Sequence, residues 1–117
     1  MLPYKRSRRV ADLLREEISD IILRRLKDPR MGFVTVVDVS VTEDLKLARV
    51  YVSSLKAEER QQTLDILKSA RSFIRQELGR RVKLKTVPDL EFHIDTTVEY
   101  GSRIDRLLKE IKDNEPG

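Results

Sequence analysis

A β-hairpin is predicted by residues 33–53, which read FVTVVDVSVTEDLKLARVYVS. The first strand, residues 33–41, is rich in β-branched residues, and its second half alternates valine with polar residues. Val34 and Val36 are out of phase with that alternation, so either the first half is covered on both faces or a bulge intervenes. The polar turn 42–44 leads to a second strand, residues 46–53, in which apolar and polar side chains alternate.

Helices are predicted on both sides of this hairpin. Residues 6–27 carry apolar side chains at helical spacing, and Asp28-Pro29 ends the helix because proline disfavours the α conformation in the residue before it. The predicted apolar stripe consists of Val10, Leu14, Ile18, Ile21 and Ile22, widened by Leu13 and Leu26. Residues 57–80 have the periodicity of one continuous second helix, with Gly79 as a C-terminal signal.

The remaining segments complete an α+β fold. Residues 89–96 alternate as a third, half-buried strand, and residues 98–112 have helical spacing. The order is therefore α-β-β-α-β with an extra C-terminal helix, and we expect the helices to pack on one face of a three-stranded sheet. Residues 1–113 are predicted to form a single domain, and residues 114–117 a frayed tail.

Composition excludes several classes of protein. The 117 residues contain no cysteine, which excludes disulfide scaffolds, zinc ribbons and thiol nucleophiles. Aromatic residues make up only 5% and tryptophan is absent, which argues against an aromatic base-stacking platform. No apolar stretch has the length of a membrane span or of a signal core, so we expect a cytoplasmic protein that does not associate with membranes.

Positive charge is concentrated between residues 71 and 86, although the net charge of the whole chain is only +4. This basic strip contains Arg71, Arg75, Arg80, Arg81, Lys83 and Lys85, with Glu77 as its one acid. A local strip of this kind indicates a polyanionic partner, most often nucleic acid, whereas its alternative is a solvated helix face.

Within the strip, two groups of residues have different expected roles. Arg71 and Arg75 are four residues apart, so they share a helical face and are predicted to grip neighbouring phosphates. Arg80 and Arg81 are expected beyond the helix end, on a flexible loop that supplies general attraction.

A second basic cluster lies at the N-terminus and consists of Lys5, Arg6, Arg8 and Arg9. These side chains could bind phosphate, or they could simply form a solvated helix start.

Three other features have both a functional and a structural interpretation. Arg30 could contact RNA or form a salt bridge to Asp28 that holds the turn. Val34 and Val36 could line an apolar groove or belong to the core. The only histidine, His93, alternates with Glu91 and Asp95, which could hold a metal ion, although the spacing of alternate strand residues is wide for chelation.

The ordered set of local segments resembles the bacterial ribosome-binding factor A family from about Arg6 to Leu108. The matching segments are Arg9-Val10-Ala11-Asp12-Leu13, Lys27-Asp28-Pro29-Arg30, Gly32-Phe33-Val34-Thr35-Val36, Val50-Tyr51-Val52-Ser53, Phe73-Ile74-Arg75 and Val87-Pro88-Asp89-Leu90-Glu91-Phe92. The resemblance implies a type II KH-like fold in which an Ala-x-Gly kink divides the second helix. Here the matching positions are Ala70, Arg71 and Ser72, with serine in place of the glycine, and the kink would offer backbone amides to phosphate.

The resemblance also implies a function. Family members are non-catalytic RNA-binding assembly factors that bind the immature small (30S) ribosomal subunit and assist late 16S rRNA maturation and 5′-end processing, notably in the cold. A ribosome-associated GTPase helps their release. We therefore expect a monomer without a cofactor whose partners are 16S rRNA and the small subunit.

Two other functions remain open at this point. The first is a protein-interaction module that docks a basic partner through its acidic C-terminal helix. The second is a metal-dependent nuclease that uses Glu91, His93 and Asp95. The sequence contains no phosphate-cradling Gly-rich loop and no recognisable serine triad, so nothing positive supports an enzyme.

Overall fold

The computed structural model describes residues 5–95, whose main elements follow the order α1, β1, β2, α2, α3, β3. The helices are α1 (Arg6–Ile21), α2 (Arg60–Ser69) and α3 (Arg71–Arg81), and the strands are β1 (Val34–Val41), β2 (Leu47–Ser54) and β3 (Asp89–Ile94). A π-helical turn (Ile22–Leu26) extends α1, and a 3₁₀ segment (Ala57–Glu59) precedes α2. The predicted C-terminal helix, residues 98–112, and the predicted tail, residues 114–117, lie outside the described residues.

The first helix is confirmed at both ends. It starts at Arg6, and after the π-helical turn Lys27 adopts a left-handed backbone conformation with φ of 37°. Three residues after Lys27, Arg30 donates its backbone N–H to the Asp28 carboxylate at 2.9 Å, and this hydrogen bond fixes the turn. The predicted stripe is buried, whereas Leu13 is 39% exposed and does not widen it.

The hairpin contains a bulge, which decides between the two alternatives for the first strand. β1 and β2 pair antiparallel, and the register shifts between Val36 and Asp38. The extra residue changes the phase of the alternation, so that Val34 and Val36 pack against the core on the same side as the buried Val39. Both valines therefore contact the core, and Val34 also lines a depression beside the end of the first helix, so each interpretation describes part of its surroundings.

The sheet has the order β1-β2-β3, with β3 parallel to β2, so the helices α2 and α3 form the connection between these strands. Alternate residues of β2 and β3 are buried beneath α1 and the other helices. These buried positions are Ala48, Val50, Val52, Leu90 and Phe92. Tyr51 and His93 face the opposite side and stack with ring centroids 5.4 Å apart. The predicted α+β class and its KH-like order are confirmed.

The second helix differs from the prediction in two ways. It is interrupted at Ala70, so the expectation of one continuous helix is wrong. Periodicity missed the break because Leu67, Ile74 and Leu78 are all buried in the same core on either side of it. Gly79 is also not the C-terminal signal, since α3 continues to Arg81.

Among the helices of residues 5–95, none combines the length and the apolar content that crossing a lipid bilayer requires.

Candidate nucleic-acid interface

The break between α2 and α3 places Arg71 at the first position of a new helix. Ala70 has φ of −88° and ψ of 2°, outside the helical region, yet its N–H donates to Ile66 O and its carbonyl accepts from Ile74 N–H, both at 2.9 Å. The interruption therefore leaves these two backbone hydrogen bonds in place. It matches the kink that the family resemblance implies, even though Ser72 replaces the glycine. The first amides of a helix have no partner within that helix, so the start of α3 presents N–H groups and a positive helix dipole end.

Arg71 borders a groove between the helices and the sheet, which we call the β3 groove. It is lined by Leu64, Lys68 and Arg71 on one side and by Leu90, Glu91, Phe92, His93 and Ile94 on the other. Five successive residues of β3 line the groove. Since successive side chains alternate between the two faces of a sheet, the groove must follow the strand's outer edge.

The charge of the β3 groove comes from two exposed cations. Lys68 and Arg71 form no ion pair with any part of the chain that the structure describes. Glu91 is the acid in the lining, and hydrogen bonding from His93, together with Arg49, lowers the pKa of its carboxyl below the ordinary value of 4.5. Sequence reasoning missed Lys68. Its position three residues before Arg71 is a signal for a shared helix face, but only the fold shows that both residues border β3.

Arg75 is engaged within the chain. Its Nε and Nη2 donate to the carbonyl oxygens of Pro88 and Val87 at 3.1 and 2.9 Å, and its Nη1 lies 3.3 Å from a carboxylate oxygen of Asp89. This guanidinium thus attaches α3 to the segment that leads into β3. The predicted role of Arg75 as a phosphate contact stays a prediction, and its visible role is to position one wall of the β3 groove.

Arg80 and Arg81 lie in the last turn of α3, so the expectation that they occupy a flexible loop is wrong. The Nη1 of Arg81 lies 2.6 Å from Asp20 and 3.3 Å from Glu17, both on α1. Arg80 pairs with the nearly buried Glu77 at 3.4 Å. Sequence spacing could not reveal the link to α1, because its partners are more than 60 residues apart.

One residue of the basic strip and one residue of the N-terminal cluster meet at a second pocket. Arg6, from the start of α1, and Lys85, from the segment before β3, line it together with Lys46 from the turn between β1 and β2. The other lining residues are Asp44, Leu45, Leu84, Thr86 and Asp89. We call this the three-cation pocket. Sequence reasoning missed Lys46, since an isolated lysine in a turn gives no signal of its own.

The other predicted cations lie apart from both features. Lys5 forms an exposed ion pair with Glu43 at 3.0 Å. Arg8 lines a separate depression between α1 and β1, and Arg9 and Lys83 are exposed. RNA contact by these residues stays a prediction.

Arg30 and His93 both have partners within the described chain. Arg30 forms a bidentate interaction with Asp28, with Nη2 2.7 Å and Nε 3.1 Å from the carboxylate oxygens, so the salt-bridge interpretation is confirmed. His93 contacts the Glu91 carboxylate through Nε2 and stacks on Tyr51. Within residues 5–95, no three histidine, aspartate or glutamate side chains converge as a metal site requires.

Comparison with known proteins agrees with this geometry. The family model for ribosome-binding factor A matches residues 6–108. The ribosome-binding factor A of Thermodesulfovibrio yellowstonii is 51% identical over 112 residues, which cover 96% of this chain and 95% of that protein.

Structural comparison gives the same result. The crystal structure of ribosome-binding factor A from Thermus thermophilus superposes with a TM-score of 0.68 at 28% identity, covering 75% of this chain and 94% of that one. A homology model of the Thermus thermophilus factor, fitted into a cryo-EM map of a 30S complex, gives 0.63 at 30% identity and covers 73% and 90% of the two chains. The chain therefore belongs to the ribosome-binding factor A family.

Proposed function

We propose that this protein is a non-catalytic assembly factor that binds rRNA of the immature small (30S) ribosomal subunit through the β3 groove. The observation that carries the proposal is the pairing of two exposed cations, Lys68 and Arg71, with the outer edge of β3, which pairs with no further strand among residues 5–95. The relative from Thermus thermophilus that was fitted into the map of a 30S complex supports the choice of the small subunit.

The chemistry of the groove suits a single-stranded RNA segment. Lys68 and Arg71 would neutralise phosphates and position the RNA backbone without reading base identity. The outer edge of β3 offers backbone N–H and C=O groups, and such groups can hydrogen-bond the edges of unstacked bases. Leu90 and Phe92, both buried, keep that edge in place from below.

The further biological role follows from family membership as a proposal. Binding at this groove would assist late 16S rRNA maturation and 5′-end processing, notably in the cold. Release would need a ribosome-associated GTPase. We further propose a cytoplasmic monomer, a single domain over residues 1–113, and RNA binding without a cofactor.

Co-sedimentation with ribosomal subunits tests this function. Purified protein is mixed with immature small subunits, mature small subunits or large subunits across a series of salt concentrations. We expect binding to small subunits, strongest for the immature form, and weaker binding as salt rises because phosphate contacts release counterions. Equal binding to large subunits, or binding that ignores salt, would contradict the proposal.

A further inference from the structure

The three-cation pocket joins parts of the chain that are far apart in sequence. Arg6 begins α1, Lys46 precedes β2 and Lys85 precedes β3. The fold brings the starts of β2 and β3 together because these two strands are parallel, and Asp89 donates its N–H to Lys46 O at 2.9 Å. The pocket is therefore a product of the sheet topology, and each of its cations stands on a different segment.

The charges around the pocket leave the three cations available. Within residues 5–95, Arg6, Lys46 and Lys85 make no ion pair at 4.0 Å or less. The Asp44 carboxylate accepts from the Thr42 hydroxyl at 2.7 Å and from the Lys46 N–H at 3.1 Å, so it is held by its own turn.

The second acid of the lining is also engaged. A carboxylate oxygen of Asp89 lies 3.3 Å from Arg75 Nη1.

The hydroxyl of Thr42 lowers the pKa of Asp44, with smaller contributions from the backbone and charge of Lys46, so Asp44 is ionised at neutral pH. Even with both acids counted, three cations against two carboxylates leave the pocket with a net charge of +1, and Arg75 further offsets the charge of Asp89.

The pocket also has an apolar part. Leu45 and Leu84 are half-buried, pack against the core and line the pocket beside the cations. Leu45 is held with φ of 61°, a left-handed conformation that is uncommon for leucine, within the turn between β1 and β2. Cations next to a fixed apolar surface suit a ligand with one anionic end and one flat apolar face.

We propose that the three-cation pocket binds one nucleotide of the RNA, with its phosphate against Arg6, Lys46 and Lys85 and its base or sugar over Leu45 and Leu84. This inference rests on the proposed function and adds a second contact to it. Asp89 lines the pocket and Leu90 lines the β3 groove, so the two sites adjoin at the start of β3. One RNA strand along β3 would reach both.

The test compares two double variants that remove the same charge at opposite ends of the sheet. Lys46→Gln/Lys85→Gln changes the pocket. Lys27→Gln/Lys56→Gln changes two exposed lysines without described ion pairs at the other end of β2. The length of this strand separates them from the pocket by roughly 25–30 Å. Binding of each protein to immature small subunits is measured as a function of KCl concentration, and thermal unfolding confirms that both variants fold.

We expect the pocket variant to bind about tenfold or more weakly than wild type. The slope of log affinity against log salt should become shallower by about one at most, because the pocket is proposed to hold a single phosphate. The far-end variant should stay within about twofold. If wild type binds and the two variants bind equally, the pocket assignment is overturned and the β3 groove stands. If wild type itself fails to bind small subunits, the proposed function fails, and the pocket assignment fails with it.

Discussion

Arg71 and Arg75 lie one turn apart on α3, yet their surroundings differ. Arg71 is exposed at the β3 groove and has no ion pair among residues 5–95, whereas Arg75 donates to two carbonyl oxygens and contacts Asp89. Sequence spacing treats the two residues as equivalent because it describes only the helix that carries them. The partners of Arg75 come from a segment 12 and 13 residues later, whose path depends on the sheet.

Replacing Arg75 with alanine should lower stability. The carbonyls of Val87 and Pro88 would lose their donor, which we expect to cost about 1–2 kcal/mol and to lower the melting temperature by about 5–10 °C. Thermal unfolding measured by circular dichroism checks this. The matched control is Arg71→Ala on the same helix, which should leave the melting temperature nearly unchanged. Equal losses in both variants would show that Arg75 does not hold the segment before β3.

At the scale of the helix, Gly79 distinguishes the observed α3 from the predicted one. A glycine at a helix end usually adopts positive φ, where alanine is strained. Gly79 does not have positive φ, and a Cβ at this position would lie 3.7 Å from Val87 Cγ2, an ordinary contact.

Gly79→Ala should therefore raise the free energy of unfolding by about 0.5–1 kcal/mol, since alanine loses less backbone freedom on folding. Urea unfolding gives the value directly. Gly32→Ala serves as the comparison. Its Cβ would overlap the Glu59 carboxylate, so this flexible side chain would have to move, and the gain in stability should be smaller than for Gly79→Ala. A loss of stability in Gly79→Ala would contradict the helix boundary described above.

The contact between α1 and α3 has an ionic part that should depend on pH. The hydrogen bond from Arg81 lowers the pKa of Asp20 below its ordinary value of 3.8, and the charge of Arg24 acts in the same direction. Because the folded state holds this carboxylate at a lower pKa than the unfolded chain, its contribution to stability is complete above pH 3.8. That contribution is lost as the pH falls through the folded pKa.

The difference in unfolding free energy between wild type and Asp20→Asn should therefore be constant from neutral pH to about pH 5 and should shrink toward about pH 3. Urea unfolding at several pH values measures it. Glu16→Gln, an exposed acid on the same helix without a described ion pair, controls for the general loss of charge. A difference that does not change with pH would contradict a lowered pKa of Asp20 in the folded state.

For the whole molecule, the sequence predicts elements well and long-range charge contacts poorly. The alternation in residues 33–53 predicts the hairpin and, through the phase of Val34 and Val36, raises the bulge as an alternative. The buried stripe of α1 is also predicted correctly, because it depends only on the spacing of apolar residues within one helix. The break at Ala70 escapes periodicity because burial continues on the same side of both helices, and only the family resemblance raises it.

Charge contacts are harder to predict because the local sequence around a charged residue does not show which distant residue will lie next to it in the fold. Arg81 faces α1, so a cation that looks free in the sequence is balanced by Asp20 and Glu17. Conversely, Lys46 and Lys68 look isolated in the sequence and become part of basic surfaces in the fold. The proposed RNA-binding surface is therefore smaller than the basic strip in one place and larger in another.

The most direct test of the account is the affinity for immature small subunits of a variant in which the β3 groove carries reversed charge. We compare Lys68→Glu/Arg71→Glu with Lys27→Glu/Lys56→Glu, which makes the same change at positions outside the groove. We expect the groove variant to lose about a hundredfold in affinity, since two charge-assisted contacts are together worth about 3 kcal/mol, and the comparison variant to lose much less. Equal affinity of the two variants would contradict the claim that the β3 groove binds the RNA.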